Sequence, residues 1–493
     1  MTDGLRVEPH AYDRSAALWS LHQHDDAFPR AGIVDVLSDP RNAHLLEYVS
    51  EEAFTHVFPG DEQETSSERL LSDLHHTIAR SPSFHLWANI PLCRYRCNFC
   101  QFPILVLNHQ TDTAEATARR WVDANIAEAG LWLAAVPSMR QTPVGEFCLF
   151  GGTPTAVPPA ELDRLLTFYR KSFRFTEDTS LRAEGSPDSI TDDHLGVLAA
   201  HGFHTLTYGV QSFDDELLRL ANRRHTGQQA LAALRNARAR GFDRVDADLV
   251  WGLPGQSVDG FLRDVDVMVD EGFDTVVMIK LHLRSFAEVQ SAIGHVSPAV
   301  WEDAGVRARI AAEGHAWPTL GQQYQMREMA VEKLLGAGYY EHPTTYFPKK
   351  SLGPQRWRSL NLDQHLQVPQ VGIGLGGYSW SDLSEASAVT RPATYLQEID
   401  AGRIPFDTIT AISPRERETR AIRMALSTCQ PLRADVHGAR FPESESLLRG
   451  HWGERFLSLE RRGLAQIDRA AGTVTLTSSG ATLVEAIMQT EIR

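Results

Sequence analysis

Residues 85–100 read HLWANIPLCRYRCNFC, an apolar run followed by three closely spaced cysteines. The run is typical of a buried strand, and Cys93, Cys97 and Cys100 follow it with the spacing C-x3-C-x2-C. Three thiolates on a short loop can hold three corners of a cubane iron–sulfur cluster and leave the fourth iron without a protein ligand. Zinc is the alternative, although a structural zinc site would need a fourth ligand from a distant residue such as His109. The loop therefore predicts a metal centre at a strand end.

The run at 85–90 is the first of six short apolar or β-branched segments that alternate with helical patterns. We predict strands at 85–90, 145–150, 181–185, 205–211, 244–251 and 274–283, and helices at 114–135, 158–171, 191–201, 213–240 and 258–271. Such alternation is the signature of βα units with a parallel sheet. A full eightfold barrel needs about 250 residues and these units occupy about 200, so we predict an α/β fold with a partial (β/α)6 barrel.

Polar and glycine-rich residues recur at the ends of the predicted strands. In barrels of this type the chemistry lies at the carboxyl ends of the strands. The residues found there are Gly151, Gly152 and Thr153 after the second strand, Glu184 on the third, Gln211 on the fourth and Asp248 on the fifth. We therefore expect this edge of the sheet to bind a ligand.

Segments on both sides of the barrel pattern suggest four units. We predict an N-terminal helical extension at 1–82, the partial barrel at 83–290, and a continuation at 291–410 that lines the substrate cavity and contains a helix at 319–337. A C-terminal module at 411–493 shows helices near 414–426 and 453–462 and a hairpin at 465–476. Two helices followed by a hairpin predict a small winged-helix-type fold.

The composition excludes several classes of protein. The chain has 493 residues, 42% of them hydrophobic, and a net charge of −15, which disfavours attraction to nucleic acid or to an anionic membrane. It contains no run of about 18 apolar residues, so we expect no membrane span. The N-terminus lacks the pattern of a secretory signal, and Cys148 and Cys429 stand apart from the cluster. We expect a cytoplasmic protein without a disulfide framework, acting on a small molecule rather than on nucleic acid or membranes.

Eight motifs resemble a known family in their order along the chain. They are IPLCRYRCNFC, FGGTPT, AEGSPDSIT, YGVQSFDDELL, ANRRHT, DLVWGLPGQS, GIGLGGYS and LTSSG. The cysteine triplet and GGTP resemble the radical S-adenosylmethionine (radical SAM) superfamily. The full set resembles the oxygen-independent coproporphyrinogen III oxidase, or HemN-like, family over about four-fifths of the chain.

This resemblance implies cofactors and site residues. The three cysteines would hold a [4Fe–4S] cluster, and S-adenosylmethionine would chelate its open iron and be cleaved to a 5′-deoxyadenosyl radical with an electron from a partner such as flavodoxin or ferredoxin. Residues implied to contact S-adenosylmethionine are Phe99 beside the adenine, Gly151, Gly152 and Thr153 at the methionine group, and Glu184, Gln211, Arg223 and Asp248 around the rest of the molecule. Ile373 is implied to contact a second S-adenosylmethionine.

Departures from the family pattern bear on the reaction. Trp87 and Asn89 occupy the Tyr and His positions of the porphyrinogen oxidases, and Phe102 replaces their fourth cysteine. Of the haem-chaperone motif HNxxYW only Asn361 matches, with His365 nearby.

The third branch of the resemblance comprises methyltransferases and cyclopropanases, which are thought to use two S-adenosylmethionine molecules and a positioned base. His282 and Tyr208 are candidates for that base by position. We expect methylation or cyclopropanation of an unsaturated small molecule, with oxidative decarboxylation of coproporphyrinogen III and a haem chaperone as alternatives.

Overall fold

A computed structural model describes residues 33–50, 63–107, 113–283, 299–342, 344–352, 368–429 and 431–492. Its centre is a large mixed sheet whose strands come from most of the chain. The N-terminal part contributes helices α1 (Ile33–Ser38), α2 (Ala43–Ser50) and α3 (Ser67–Arg80) and the short strand β1 (Gln63–Glu64).

The predicted βα units form the parallel part of this sheet. Its strands are β2 (Phe84–Ile90), β5 (Val144–Gly151), β6 (Ser180–Gly185), β7 (Thr205–Gln211), β8 (Arg244–Trp251) and β9 (Thr275–Lys280), which are neighbours in that order. The short pair β3 (Leu92–Cys93) and β4 (Leu105–Val106) belongs to the cysteine loop. The strands are nearly continuously buried, as expected where helices cover a parallel sheet. The α/β prediction is confirmed, except that the sixth strand ends at Lys280 instead of 283.

Helices connect these strands. They are α4 (Thr113–Ala135), α5 (Pro159–Ser172), α6 (Asp192–Ala200), α7 (Asp215–Leu220), α8 (Gly227–Ala239) and α9 (Val258–Asp270). The single helix predicted at 213–240 is wrong, because α7 and α8 are separate. Asn222 between them has φ 58°, a left-handed conformation that breaks a helix, and Thr226 caps α8.

Both edges of the parallel sheet are extended. Following α10 (Ala304–Ala312) and α11 (Leu320–Gly336), β10 (Tyr346–Pro348) runs antiparallel to β9. On the other edge β11 (Gln370–Ile373) runs parallel to β2 and leads into an antiparallel meander of β12 (Tyr378–Trp380), β13 (Ser384–Ala388) and β14 (Phe406–Ala411). Helix α12 (Pro392–Asp400) precedes β14, and β1 pairs with β14. Residues 63–64 of the predicted accessory extension therefore join the main sheet, while the four domain boundaries stay predictions.

The parallel strands curl into a partial barrel. From β5 to β10 there are five neighbour steps, about 24 Å in a flat sheet at about 4.8 Å per strand. Tyr346 on β10 nevertheless interacts electrostatically with Arg182 on β6 and with Cys148 on β5. The sheet must therefore curl so that β5 and β6 approach β10 around an interior.

The C-terminal part is a small helix-and-sheet module, as predicted. Its helices are α13 (Pro414–Ser427), α14 (Ala434–Arg440), α15 (Gly450–Arg461), α16 (Ser478–Thr482) and α17 (Val484–Thr490), and its strands are β15 (Leu432–Arg433), β16 (Ala465–Asp468) and β17 (Thr473–Leu476). Among the described residues, no helix combines the length and apolar character needed to cross a membrane.

Candidate active site

The cysteine loop is fixed by backbone hydrogen bonds. Cys93 ends the short strand β3, which pairs with β4 on the returning limb of the loop. The amides of Gly152 and Thr153 donate to the carbonyls of Ile90 and Leu92 at 2.8 and 2.7 Å. The GGT segment after β5 is thereby attached to the start of the cysteine loop.

The three thiols form no disulfide, and Cys93 and Cys97 each lie beside a hydrogen-bonding side chain. The sulfur of Cys93 is 3.4 Å from Thr153 Oγ1, and Arg223 Nη1 donates to the sulfur of Cys97 at 3.3 Å. Burial raises the pKa of the Cys93 thiol to about 12 and that of Cys100 to about 11, and the neighbouring thiols contribute to both shifts. Nearby donors stabilise sulfur as a thiolate, the form that binds iron.

This donor set is suited to an iron–sulfur cluster. The three cysteines lie on one short loop, and each thiolate of a cubane cluster binds a different iron atom. Cys93, Cys97 and Cys100 are the residues that would hold the cluster.

The glycines after β5 are required by close packing against the cysteine loop. Gly151 has φ 116°, and a Cβ at Gly152 would lie 2.7 Å from the Leu92 carbonyl oxygen and 2.8 Å from the Pro91 carbonyl carbon. A side chain at Gly152 would push the cysteine loop away from β5. The sequence predicted these glycines for approach to a ligand, and the structure adds a second reason for them.

Arg223 connects the cysteine loop to the ends of two further strands. Its guanidinium donates to Cys97, to Ser186 Oγ at 3.0 Å and to the Gly209 carbonyl. Burial alone would lower its pKa, but the neighbouring Cys97 and Tyr95 raise the pKa above its ordinary value. The group is therefore a permanent positive charge beside the cluster ligands. Its predicted contact with S-adenosylmethionine stays a prediction.

Carboxylates lie on the inner face of the curled sheet. Glu184 Oε1 is 3.5 Å from Arg182 Nη1, and Asp248 is the one half-buried residue of β8. Burial and the nearby Glu184 charge raise the pKa of Asp248 to about 8, and burial raises the pKa of Glu184. Glu184 on β6 and Asp248 on β8 therefore lie near each other on either side of β7. Their carboxylates offer hydrogen-bond acceptors in one partly desolvated region.

Gln211 adopts a backbone conformation that is rare for its residue type. Its φ is 72°, and the register between β7 and β8 shifts between Gly209 and Gln211. The Gln211 amide nitrogen would lie 2.6 Å from a Cβ placed at Gly209, so the side chain folds back over the strand end. Such strain occurs at ligand sites, and contact of Gln211 with S-adenosylmethionine stays a prediction.

Tyr208 does not reach this region. Its hydroxyl lies 3.5 Å from the Ala233 carbonyl of α8, and its ring is fully buried in the main core. Successive residues of a strand face opposite sides, so Tyr208 points to the helices while Gly209 lies beneath Gln211 and Arg223. Its predicted role as a base at the reaction site is not supported by this placement.

Two other predicted residues, His282 and Phe99, are half-buried. Burial and the Lys280 charge lower the pKa of His282 to about 3, which leaves the imidazole neutral and weakly basic. Phe99 packs with its ring centre 6.1 Å from that of Trp301. The roles proposed for His282 as a base and for Phe99 beside an adenine stay predictions. His109, Asn361 and His365 lie outside the described residues.

The glycine-rich segment after β11 is anchored to α4. Ile373 is fully buried, and its carbonyl accepts from Asn125 Nδ2 at 3.5 Å. The Gly374 amide and the Tyr395 hydroxyl donate to Glu128 at 2.8 and 2.5 Å, and burial raises the pKa of this carboxyl to about 7. These bonds fix the segment, and contact with a second S-adenosylmethionine stays a prediction.

Other residues at the site were not anticipated from the sequence. Tyr346 faces Arg182, Asp248 and Glu184, and burial raises its pKa. The antiparallel pairing of β10 with β9 places Tyr346 on this face, and no local sequence pattern predicts that pairing. Asp188 accepts from Tyr95 on the cysteine loop at 3.0 Å, although the motif AEGSPDSIT offered a signal for it.

The sequence is similar to those of known proteins. The model of the family described as "Radical SAM superfamily" matches residues 90–268. The chain is 24% identical over 416 residues to the heme chaperone HemW of Mycobacterium tuberculosis, covering 83% of this chain and 94% of that protein. It is 34% identical over 186 residues to the oxygen-independent coproporphyrinogen III oxidase of Salmonella typhimurium, covering 37% of this chain and 39% of the relative.

A solved structure shares the fold. The coproporphyrinogen III oxidase HemN from Escherichia coli superposes with a TM-score of 0.71 at 20% sequence identity, covering 90% of this chain and 97% of that one. At this identity the likeness concerns architecture, and it extends to both sides of the partial barrel.

Proposed function

We propose that this chain is a HemN-like radical SAM enzyme, which cleaves S-adenosylmethionine reductively at a cluster held by Cys93, Cys97 and Cys100 in order to transform a small molecule inside the curled sheet. Members of the superfamily use a [4Fe–4S] cluster and S-adenosylmethionine. When bound, these cofactors supply an electron and a carbon-centred radical. The proposal therefore concerns which residues hold them and what is transformed.

One observation carries the proposal. The three free thiols share a loop that is hydrogen-bonded to the GGT segment and to Arg223, so residues from three separate motifs meet at the predicted cluster. A cysteine loop with only a structural role would not need a buried guanidinium on one of its sulfurs. Hydrogen bonds to charged groups contribute about 1.5–3 kcal/mol, so the Arg223 guanidinium helps to fix the position of the Cys97 sulfur.

The remaining polar residues are suited to binding and orienting S-adenosylmethionine. Glu184 and Asp248 present oxygen atoms that can accept hydrogen bonds from hydroxyl or ammonium groups. The raised pKa of Asp248 means that this carboxyl holds a proton near neutral pH until a positive ligand lowers its pKa. Gln211 and the backbone at Gly151 and Gly152 complete the rim. We propose that these five residues orient the cofactor against the cluster.

The relatives named above favour tetrapyrrole chemistry for the transformation. One is named for oxidation of coproporphyrinogen III, so we place oxidative decarboxylation of a porphyrinogen first. Trp87, Asn89 and Phe102 depart from the pattern of the porphyrinogen oxidases and leave methylation or cyclopropanation as another candidate reaction. These relatives do not support it, so we place it after oxidative decarboxylation. Asn89 donates to the Leu375 carbonyl and Trp87 packs edge-on against Phe150, so these two replaced positions on β2 have contacts within the fold.

Haem binding is a second candidate function. It rests on the alignment with a protein named as a heme chaperone, which spans 94% of that relative. Of the haem-chaperone motif HNxxYW, this sequence matches only Asn361, and His365 lies four residues after it. Haem titration of the full chain tests it, because binding of one haem per chain with a shifted Soret band is expected for a chaperone and absent for an oxidase.

An anaerobic assay separates oxidative decarboxylation from methyl or methylene transfer. The reconstituted full chain is incubated with dithionite, methyl-deuterated S-adenosylmethionine and coproporphyrinogen III, and products are identified by mass spectrometry. Loss of carbon dioxide from the porphyrinogen with undeuterated 5′-deoxyadenosine supports the oxidase. Deuterated 5′-deoxyadenosine with S-adenosylhomocysteine supports methyl or methylene transfer instead. Failure to cleave S-adenosylmethionine with the cluster loaded contradicts the whole proposal.

A further inference from the structure

Residues 372–377, which we call the glycine-rich segment, lie at the same edge of the sheet as the cysteine loop. The strand order β11-β2-β5 places the cysteine loop, which follows β2, between the GGT segment and the glycine-rich segment. The Asn89 side chain donates to the Leu375 carbonyl at 2.5 Å, and a Cβ placed at Gly376 would lie 3.1 Å from Pro103. The glycine-rich segment therefore packs against both ends of the cysteine loop.

A buried carboxylate on α4 holds this segment. Glu128 is fully buried, and one of its oxygens accepts from the Gly374 amide at 2.8 Å and from the Tyr395 hydroxyl at 2.5 Å. The Trp132 indole donates to the other oxygen at 3.2 Å. Gly374 has φ 114°, and a Cβ there would lie 2.2 Å from the Asn89 carbonyl oxygen. Glycine is therefore required at the position that presents its amide to Glu128.

The partners of Glu128 favour its ionised form. All three groups named above donate, and an ionised carboxylate only accepts, so each of these donors is satisfied. A protonated carboxyl carries an O–H that needs an acceptor, and of the three partners the Tyr395 hydroxyl is the one that offers an oxygen. When Tyr395 accepts this proton, its own hydrogen must turn away. The Gly374 amide is then left with a weaker bond to a neutral carboxyl.

The other groups that face this carboxylate do not replace these hydrogen bonds. From α5, Tyr169 faces Glu128 as a neutral phenol whose pKa is raised by burial. From α12, Tyr395 is influenced by Arg120, and that guanidinium is held by Asp400 at 2.6 Å. Burial raises the pKa of Glu128 to about 7, and its three hydrogen bonds lower the pKa against that effect. Hydrogen bonding is therefore what keeps the charge on this carboxyl.

We propose that Glu128 is a positioning residue for the proposed reaction, because its ionised carboxylate holds the glycine-rich segment beside the cysteine loop. The inference rests on the proposed function, since it concerns turnover at the cluster ligands. A segment packed against that loop limits the space in which cofactor and substrate meet. A misplacement of about 1 Å in such a place can lower a rate by about 100-fold.

Three variants of the full chain test this role. Glu128→Gln keeps the shape of the side chain and removes its charge, while Tyr395→Phe removes one donor and keeps the ring. The matched control is Glu161→Gln on α5, a buried carboxylate that is bound by Arg119 and Arg164 and has no printed bond to the glycine-rich segment. Thermal melting and iron content after reconstitution show whether each variant folds and carries its cluster.

Hydrogen exchange with mass spectrometry measures the segment directly. Protection factors of the glycine-rich segment, corrected for the intrinsic effect of pH on exchange, are compared at pH 6 and pH 8. Protection should rise by about tenfold with pH in the unchanged chain and in Glu161→Gln, because Glu128 loses its proton in this range. Glu128→Gln should show the low value at both pH values. Tyr395→Phe should reach the same protection only at a higher pH, because loss of a donor raises the pKa of Glu128.

Turnover is measured as 5′-deoxyadenosine formed from S-adenosylmethionine with dithionite. At pH 8 we expect Glu128→Gln to be slower than the unchanged chain by about tenfold, and Glu161→Gln to stay within about twofold. Tyr395→Phe should lose rate at pH 7 and regain it as the pH rises, because its Glu128 still ionises. A side chain that only stabilised the fold would not give this recovery.

Two results overturn the inference. The same rise in protection with pH in Glu128→Gln and in the unchanged chain would show that the charge of Glu128 does not hold the segment. Lower protection in Glu128→Gln with an unchanged rate of cleavage would show that the segment has no part in the reaction. Failure of the unchanged chain to cleave S-adenosylmethionine would instead remove the proposed function, and hydrogen exchange would still decide whether Glu128 holds the segment.

Discussion

The guanidinium Nη1 of Arg223 donates to the sulfur of Cys97 at 3.3 Å, although 126 residues separate the two in the chain. The contact depends on the break between α7 and α8, because Arg223 lies in that turn. The same guanidinium also reaches Ser186 and the Gly209 carbonyl, so it joins the ends of β6 and β7 to the cysteine loop. The cluster ligands are thus positioned by residues from the next strands of the sheet.

Replacing Arg223 tests this arrangement. Arg223→Gln should retain the fold but lower the amount of cluster held after desalting, because a charge-assisted hydrogen bond to Cys97 worth about 1.5–3 kcal/mol is lost. Iron and sulfide analysis measures the loss, and Arg224→Gln is the matched control one residue away. Full cluster retention in Arg223→Gln would show that the contact has no part in holding the cluster.

Removing any one thiol of the triplet should abolish the cluster. Cys93→Ala, Cys97→Ala and Cys100→Ala should each lose the brown colour and the sulfur-to-iron absorbance after reconstitution, because two thiolates cannot hold the cubane in the same way. Cys429→Ala is the control, since that thiol contacts Thr344 far along the chain. Cluster iron at the unchanged level in a triplet variant would refute its assignment as a ligand.

A methyl group at Gly152 should disrupt the cysteine loop. The added Cβ would lie under 3 Å from backbone atoms of Pro91 and Leu92, which cannot rotate away. We expect Gly152→Ala to cost about 1–3 kcal/mol of stability and to lower cluster content. Gly196→Ala on α6 is the control, because nothing lies within 4 Å of that Cβ and alanine favours a helix. Equal melting temperatures and cluster content in the two variants would contradict the packing argument.

The raised pKa of Asp248 predicts a pH dependence of stability. The carboxyl keeps its proton to about pH 8 in the folded chain, while its ordinary pKa is 3.8. The folded state therefore binds more protons than the unfolded state between these values, so this group's contribution is full below pH 3.8 and is lost as the pH rises to 8.

Asp248→Asn removes this dependence. Between pH 5.5 and pH 8.5 the melting temperature of the cofactor-free chain should fall further than that of Asp248→Asn, with a difference of about 2–4 °C. Differential scanning fluorimetry at the two pH values measures it. Parallel losses in the two proteins would show that the Asp248 carboxyl titrates at its ordinary pKa.

The sequence was sufficient for the parallel core because each strand there is a buried apolar run with a helix after it. The sequence also places Glu184 near the end of β6 and Asp248 on β8, while their contact with S-adenosylmethionine stays a prediction. The break at Asn222 was missed because apolar residues continue at helical spacing on both sides of it. Asn222 adopts a left-handed conformation, and its side chain donates to the carbonyl of Arg96, which is distant in the sequence. No local sequence pattern predicts this contact.

Closeness to a strand end does not by itself place a side chain at the site. Tyr208 lies near the end of β7, but alternation along the strand turns its side chain toward α8. Tyr346 could not have been found, because it reaches the inner face only through a pairing with Val277 that is distant in sequence.

The central claim is that this chain cleaves S-adenosylmethionine reductively at a cluster held by Cys93, Cys97 and Cys100. The most direct measurement is anaerobic incubation of the reconstituted full chain with dithionite and S-adenosylmethionine, followed by mass spectrometry of the nucleosides. We expect 5′-deoxyadenosine and methionine in equal amounts, and neither product above background from Cys97→Ala. A chain that carries a complete cluster and yet forms no 5′-deoxyadenosine would contradict the claim.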